Sequence, residues 1–220
     1  MSSEFDAQDM SKLQRLKENF EEARDFMAYY RCAMMEVETK FKVLSEQFAL
    51  QYEHNPIDII KTRLKSYESI IAKLEKLQLP ITLSSVENNL HDVAGVKVIC
   101  PFVDDIYLLA NSFLSQDDVR LIAEKDYIKN PKNNGYRSLH LIIEIPIFLF
   151  SEKKYIRVEV QFRTIAMEAW ANLEHRLRYK KHIDGKVSET VSKELNECAL
   201  LSYQLDKKMG EVRSLVEKDK

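Results

Sequence analysis

Glycine and proline are scarce in this chain of 220 residues, four and five in number, and residues 1–55 contain neither. That scarcity excludes a collagen-like, loop-dominated or Pro/Gly-rich disordered protein. Cysteine is nearly absent too. Cys32, Cys100 and Cys198 are odd in number and far apart, which fits neither a disulfide framework nor a CxxC metal site and points to a reducing, cytoplasmic compartment. Apolar runs never reach membrane-spanning length, and the polar, acidic N-terminus carries no targeting pattern, so no membrane association is expected. Charge of one sign is also missing. With 33 Lys+Arg against 35 Asp+Glu, the formal charge is -2, so any site for a polyanion must be a local patch. A chain this long can bury one sizeable core with helical appendages.

Regular periodicity is what the chain has instead. Leu13, Leu16, Phe20, Ala23, Met27, Tyr30, Met34, Val37, Phe41, Leu44 and Phe48 repeat at alternating three- and four-residue steps, which predicts a long amphipathic helix over the first 54 residues. Ser11 and Gln14 could form a capping box at its start. Such a heptad pattern makes either a seam between chains or a helix docked on the chain's own sheet, and docking is the expectation. A second helix is predicted from Pro56, with Ile57, Ile60, Leu64, Tyr67, Ile71 and Leu74 as its stripe. Strand candidates follow at Val96–Cys100, Val119–Ala123, Leu139–Ile145 and Tyr155–Phe162, with a helix at Ile106–Leu114 between the first two. After Gly185 the chain is helical again, with Val191, Leu195, Leu201, Leu205, Met209, Val212 and Leu215 as packing residues.

Four stretches could carry chemistry. In Arg157–Thr164, alternation buries Ile156, Val158, Val160 and Phe162 and gives Arg157, Glu159, Gln161 and Arg163 a common face. A carboxylate there can take a proton or share a cation, and guanidiniums hold anionic oxygens in a fork. The helix predicted after Pro56 carries Lys61, Arg63, Lys65, Lys73 and Lys76, with Lys65, Ser69 and Lys73 four residues apart on one basic face. Asp92 stands just before a strand that Gly95 enters, a place suited to holding Mg²⁺ together with substrate phosphates. Lys125–His140 is a basic loop with an Asn134-Gly135 turn, Tyr136 to stack on a base and Arg137 to clamp a phosphate. Each stretch alone also fits a solvated face or an ordinary turn. The histidines show no HExxH or paired spacing, which removes a metallohydrolase from consideration.

Taken in order, Arg63-x-Lys65-Ser66-x-x-Ser69-Ile70, Asp92-x-Ala94-Gly95-x-Lys97, the Tyr127–His140 loop and Glu159-Val160-Gln161-x-Arg163-Thr164 resemble the guanosine tetra/pentaphosphate synthetase domain of the stringent-response family. The resemblance spans about residues 55–182. With no room for a hydrolase or a regulatory region, the chain resembles the single-domain branch, the small alarmone synthetases. It implies a nucleotidyltransferase-like α+β (mixed α/β) fold, with a mixed sheet of about five strands flanked by helices. Long terminal helices would extend it at both ends, residues 1–54 packing on the core or joining subunits and 183–220 forming a helical extension.

The implied reaction moves pyrophosphate from ATP to the ribose 3′-hydroxyl of GDP or GTP, releasing AMP. On that resemblance Asp92 holds Mg²⁺ and Glu159 is the general base, also touching the metal. Arg63 and Lys97 flank the adenine, and Lys65, Ser69 and Lys73 grip the ATP phosphates. Tyr136 stacks on guanine, with Lys125, Lys132, Arg137, His140, Gln161 and Glu168 around the acceptor nucleotide. Two residues depart from the family pattern: Lys97 stands where Arg is frequent, and Glu168 where Asp or Asn is usual. The resemblance also implies homo-oligomers, often tetramers, with alarmone or single-stranded RNA as regulators. Two other readings compete. One is pyrophosphate transfer to adenosine nucleotides or a tRNA 3′ end, and the other a non-catalytic nucleotide- or RNA-binding module.

Overall fold

The computed structural model describes residues 3–51, 54–180 and 189–219. The expected boundary at 182/183 and the stretch around Gly185 lie outside them, as do the side chains of Leu13, Leu16 and Phe20. In chain order the elements are α1 (Ser3–Gln51), β1 (Ile59–Leu64), α2 (Tyr67–Lys76), α3 (Leu83–Asn89), β2 (Ala94–Cys100), α4 (Val103–Leu114), β3 (Arg120–Asp126), β4 (Leu139–Phe148), β5 (Lys153–Thr164), α5 (Ile165–Lys180) and α6 (Glu189–Lys218). The five strands form one mixed sheet ordered β1-β2-β5-β4-β3. Only β2 and β5 run parallel; the other three pairings are antiparallel. This is the α+β architecture with a five-stranded mixed sheet that the resemblance implied.

α1 docks on its own sheet, against β1, β2, β4 and β5. Met27, Tyr30, Val37, Phe41, Leu44 and Phe48 are buried at the predicted spacing, joined by Phe26 and Ala33. Phe41 stacks on Phe113 of α4 at 4.5 Å between ring centroids and meets Phe162 of β5 edge-on at 5.6 Å. One face of the sheet is thus sealed by α1 and α4, and the polar residues of β5 are left to the other. α1 already runs from Ser3, so Ser11 lies within the helix rather than at its start.

Two readings of the elements need correction. The helix expected from Pro56 is a strand followed by a helix: β1 pairs with β2 from Ile59↔Ile99 to Leu64↔Ala94, and only then does Ser66 cap α2 by accepting from the Ser69 amide. Ile60 and Leu64 are four apart and so serve a helix face, but they also satisfy a period of two. Pairing with β2 decides for the strand. The packing face expected on α6 is rotated as well. Leu195 is buried, Val191 is half-buried, and Leu201, Leu205, Met209, Val212 and Leu215 are exposed. The helix is seated by a different line. The Leu195 carbonyl accepts from the Trp170 indole, Ala199 is buried, Asp206 pairs with Arg137, and Arg213 pairs with buried Asp105.

Gly135 and Gly95 differ in what they require. Gly135 has φ +81°, and an added Cβ would stand 2.4 Å from Ala199 Cβ on α6, so both backbone and space call for glycine. At Gly95 the nearest atoms, the Arg63 and Glu159 carbonyl oxygens, would lie at ordinary contact, 3.7 and 3.9 Å.

Candidate active site

Sheet register builds the site. The pairings Lys61↔Lys97, Lys97↔Gln161, Gln161↔His140 and His140↔Lys125 set one residue from each strand in a row across all five strands. A second row places Arg63, Gly95 and Glu159 side by side. Directly paired residues point to the same side of a sheet, so both rows face away from α1. Above them opens a cleft of about 590 Å³, a size that suits nucleotide-scale ligands. Its walls include Lys61, Arg63, Lys65, Asp92, Gly95, Lys97, Tyr136, Glu159, Gln161 and Arg163, closed on one side by Ala171, Glu174 and His175 of α5.

Glu159 accepts at both oxygens, from His140 Nδ1 at 3.0 Å and from Gln161 Nε2 at 2.8 Å. Burial pushes its carboxyl up, as does the charge of Asp92, but the His140 and Gln161 hydrogen bonds outweigh them and hold it below its ordinary value. Asp92 is gripped by two ammonium groups, Lys65 Nζ at 2.5 Å and Lys73 Nζ at 2.7 Å. There too burial acts upward and the lysines win, so Asp92 is an anion at neutral pH. Lys65 reaches it because its amide continues the β1–β2 ladder to the Val93 carbonyl at 2.8 Å, whereas Lys73 projects from the second turn of α2.

Around Tyr136 lies an aromatic and cationic cluster. Its hydroxyl meets His140 Nε2 at 2.8 Å and accepts from Arg163 Nη2 at 2.6 Å. Its ring packs on Trp170, Ala171 and Ala199, and Lys132 Nζ lies over both Tyr136 and Tyr127, 4.9 and 4.5 Å from the centroids. Glu168, buried in the first turn of α5, accepts from Arg163 at 2.7 Å and Lys97 at 2.9 Å, with Lys61 at 3.7 Å. Burial raises its carboxyl, but Lys97 and Arg163 bring it below its ordinary value. Lys97 and Glu168, far apart in sequence, are therefore direct partners across the cleft.

Of the expected site residues, Arg63, Lys65, Asp92, Lys97, Tyr136, Glu159 and Gln161 line the cleft. Lys73, His140, Glu168 and Lys132 join it by the contacts just given, and Lys125 ends the cross-strand row. Two are not brought there. Ser69 is engaged in the cap of α2, its amide donating to Ser66 Oγ and its own Oγ accepting from Ser66 at 3.1 Å. Arg137 points to α6, where its Nη2 donates to Asp206 at 2.8 Å and Ser202 at 3.2 Å in a pocket that leaves it 5% exposed. Neighbouring residues on an extended chain face opposite sides, so with Tyr136 in the cleft Arg137 is turned away. Lys61 and Arg163, read from the sequence only as members of charged faces, also line the cleft; missed by the sequence reading was the α5 wall of Ala171, Glu174 and His175. Their spacing of three, four and seven residues from Glu168 and Ala171 is the helical signal that could have found them.

Comparison with known proteins decides the family. Residues 62–184, more than half of the chain, match the family described as "Region found in RelA / SpoT proteins". The chain belongs to the RelA/SpoT family. It is 41% identical to the GTP pyrophosphokinase YwaC of Bacillus subtilis (strain 168) over 202 residues, 92% of this chain and 95% of that one. Among solved structures it resembles small alarmone synthetase 1 from Bacillus subtilis bound to its product pppGpp, with TM-score 0.78 and 34% identity, covering 85% of this chain and 94% of that one. The same synthetase bound to AMPCPP gives TM-score 0.75 and 30% identity, covering 89% and 97%. No described helix is long and apolar enough to cross a membrane.

Proposed function

We propose that this RelA/SpoT-family chain is a pyrophosphokinase that transfers the β,γ-diphosphate of ATP to the 3′-hydroxyl of GDP or GTP, making ppGpp or pppGpp and releasing AMP. The observation that carries the reading is the cleft itself, where two carboxylates, Asp92 and Glu159, face a ring of cations on one side of the sheet. In the transfer, the acceptor 3′-oxygen bonds to the β-phosphorus while the bond from that phosphorus to the α,β-bridging oxygen breaks. Glu159 takes the hydroxyl proton. It suits the task because it is ionised at neutral pH and both its oxygens are oriented by donors.

The donor set fits magnesium. Mg²⁺ takes oxygen ligands, typically one or two carboxylates together with substrate phosphates, and Asp92 with Glu159 offers that set. No group of three or more potential ligand side chains occurs among the described residues, which leaves remaining positions to phosphate and water. Bound there, Mg²⁺ would neutralise phosphate charge at the migrating group. Lys65 and Lys73 then exchange Asp92 for the ATP phosphates, and Arg63 with Lys97 flanks the adenine. Tyr136 stacks on the acceptor base, with Lys125, Lys132, His140, Gln161 and Glu168 around that nucleotide. Arg137 and Ser69 act instead through the positions they occupy, bracing the Tyr136 loop and capping α2.

Cytoplasmic residence, homo-oligomerisation through the terminal helices and regulation by alarmone or RNA complete the reading. The exposed Leu201, Leu205, Met209, Val212 and Leu215 of α6 support the second of these. The test is to incubate the protein with Mg²⁺, γ-³²P-ATP and, separately, GDP, GTP, no acceptor or bulk tRNA, resolving products by thin-layer chromatography. Labelled ppGpp or pppGpp that Glu159→Gln fails to make is expected. Label appearing only without acceptor or in tRNA would overturn the acceptor assignment, and no label at all would overturn the activity.

A further inference from the structure

Arg163 is the junction of the acceptor side of the cleft, although nothing so far gives it a part in the reaction. Its side chain is 9% exposed and its Nε is buried without a partner. A buried, unpaired donor is costly and is retained in folded proteins where other demands fix the side chain. Both terminal nitrogens, by contrast, are engaged. Nη1 donates to Glu168 at 2.7 Å, and Nη2 donates to the Tyr136 hydroxyl at 2.6 Å and Gln161 Oε1 at 3.2 Å. The guanidinium carbon also lies 5.0 Å from the Tyr136 ring centroid.

Guanidinium can only donate and an ionised carboxylate can only accept, so the hydrogen bonds between Arg163 and Glu159 run in one direction. Along the first branch the Tyr136 oxygen accepts from Arg163, and its single proton goes to His140 Nε2, 2.8 Å away. A neutral imidazole that accepts at Nε2 carries its proton at Nδ1, and Nδ1 faces Glu159 Oε1 at 3.0 Å. Along the second branch Gln161 accepts from Arg163 with its carbonyl oxygen, which turns its amide NH₂ toward Glu159 Oε2 at 2.8 Å. Both branches end on the two oxygens of the same carboxylate.

We propose that Arg163 is a positioning residue for pyrophosphate transfer, fixing the His140 tautomer through Tyr136 and the amide orientation of Gln161 so that Glu159 is aimed at the acceptor hydroxyl. The proposal rests on the pyrophosphokinase reading. Without Arg163 the Tyr136 hydroxyl loses the donor that dictates where its proton points, and the Gln161 amide is free to turn over. Glu159 then keeps its place on β5 but loses its orientation. Arg163 itself touches no substrate in this scheme; Glu168 anchors it from α5.

The test reads the tautomer directly. The full-length protein labelled with ¹⁵N-histidine would be examined by long-range ¹H–¹⁵N NMR at a pH where His140 is neutral, with His140→Gln to assign the signal and thermal unfolding to check folding. The unaltered protein should show His140 protonated at Nδ1, and Arg163→Met should move it to the Nε2-protonated form or a mixture. Its kcat should fall roughly 10- to 100-fold, the usual effect of losing a group that orients a reacting one, with the KM for ATP unchanged. Tyr136→Phe, which removes only the hydroxyl, should change the tautomer in the same direction even if Arg163→Met fails to fold. An Nδ1-protonated His140 in both variants would overturn the proposal, as would a changed tautomer with unchanged kcat. Failure of the unaltered protein to pyrophosphorylate any acceptor would sink the activity instead, and the NMR result would still decide whether Arg163 sets the imidazole.

Discussion

Asp92 and Glu159 share one cleft and both are held as anions against the effect of burial, yet different chemistry does the holding. Two lysine ammonium groups flank Asp92, whereas an imidazole and a primary amide orient Glu159. Ammonium groups on flexible stems supply charge without fixing direction, and they can follow a phosphate when one arrives. An imidazole and an amide locked by further hydrogen bonds supply direction with little charge. The difference suits a site in which one carboxylate manages charge on the donor and the other aims at a single hydroxyl.

Exchanging each carboxylate for its amide is the strongest way to break this comparison. Glu159→Gln should lower kcat by about 10²- to 10⁴-fold, the usual contribution of a general base, while metal-free ATP affinity, measured by calorimetry in EDTA, stays largely intact. Undiminished turnover would show that Glu159 takes no proton from the acceptor. Asp92→Asn should also abolish turnover but move binding in an informative direction. With its anion gone, the Lys65–Lys73 pair presents uncompensated positive charge, so metal-free ATP should bind several-fold tighter in EDTA. Equal or weaker metal-free binding would show that the lysines are not shared between Asp92 and phosphate.

A smaller effect separates the acceptor side from the donor side. Tyr136→Ala removes a stacking surface worth about 1–3 kcal/mol and should raise the KM for GDP or GTP while sparing that for ATP. A defect confined to ATP would place the ring in the wrong half of the cleft. Gly135→Ala, one residue away, should act through stability, since its Cβ would collide with Ala199 at φ +81°. A loss of about 2 kcal/mol is expected in denaturant unfolding.

The smallest effect concerns acid. Glu168 has a folded-state value below its unfolded one, so the stabilisation from its pairing with Lys97 and Arg163 is complete above the unfolded value and disappears as pH falls through the folded one. Lys97→Met should therefore cost stability at neutral pH but little in strong acid. Equal losses at both would mean that Lys97 acts by packing alone.

Legibility followed the range of the interaction. The alternation in β5 and the docked half of α1 depend on neighbours along the chain, and Ile156, Val158, Val160 and Phe162 are buried as their spacing requires. Ile60 and Leu64 satisfied both a helix and a strand, and only pairing with Ala94–Cys100 resolved them. On α6 the leucines suggested one face, but the helix is rotated by polar anchors on distant elements, Arg137 and Asp105. Arg137 looked like a phosphate ligand beside Tyr136 because its contact with Asp206 links residues 69 apart in sequence.

What the sequence determined by itself was which residues share a face within each element, because the periods of strand and helix are properties of the local backbone. It also carried the motif order that placed Asp92 and Glu159 in one functional unit. Tertiary structure alone decided the row from Lys61 through Lys97, Gln161 and His140 to Lys125, the meeting of Lys97 with Glu168, and the place of Arg163 at the head of two hydrogen-bonded branches. Strand register and the seating of α5 set these contacts. Both are fixed by pairing and packing between segments far apart in the chain, for which no local spacing stands as a signal.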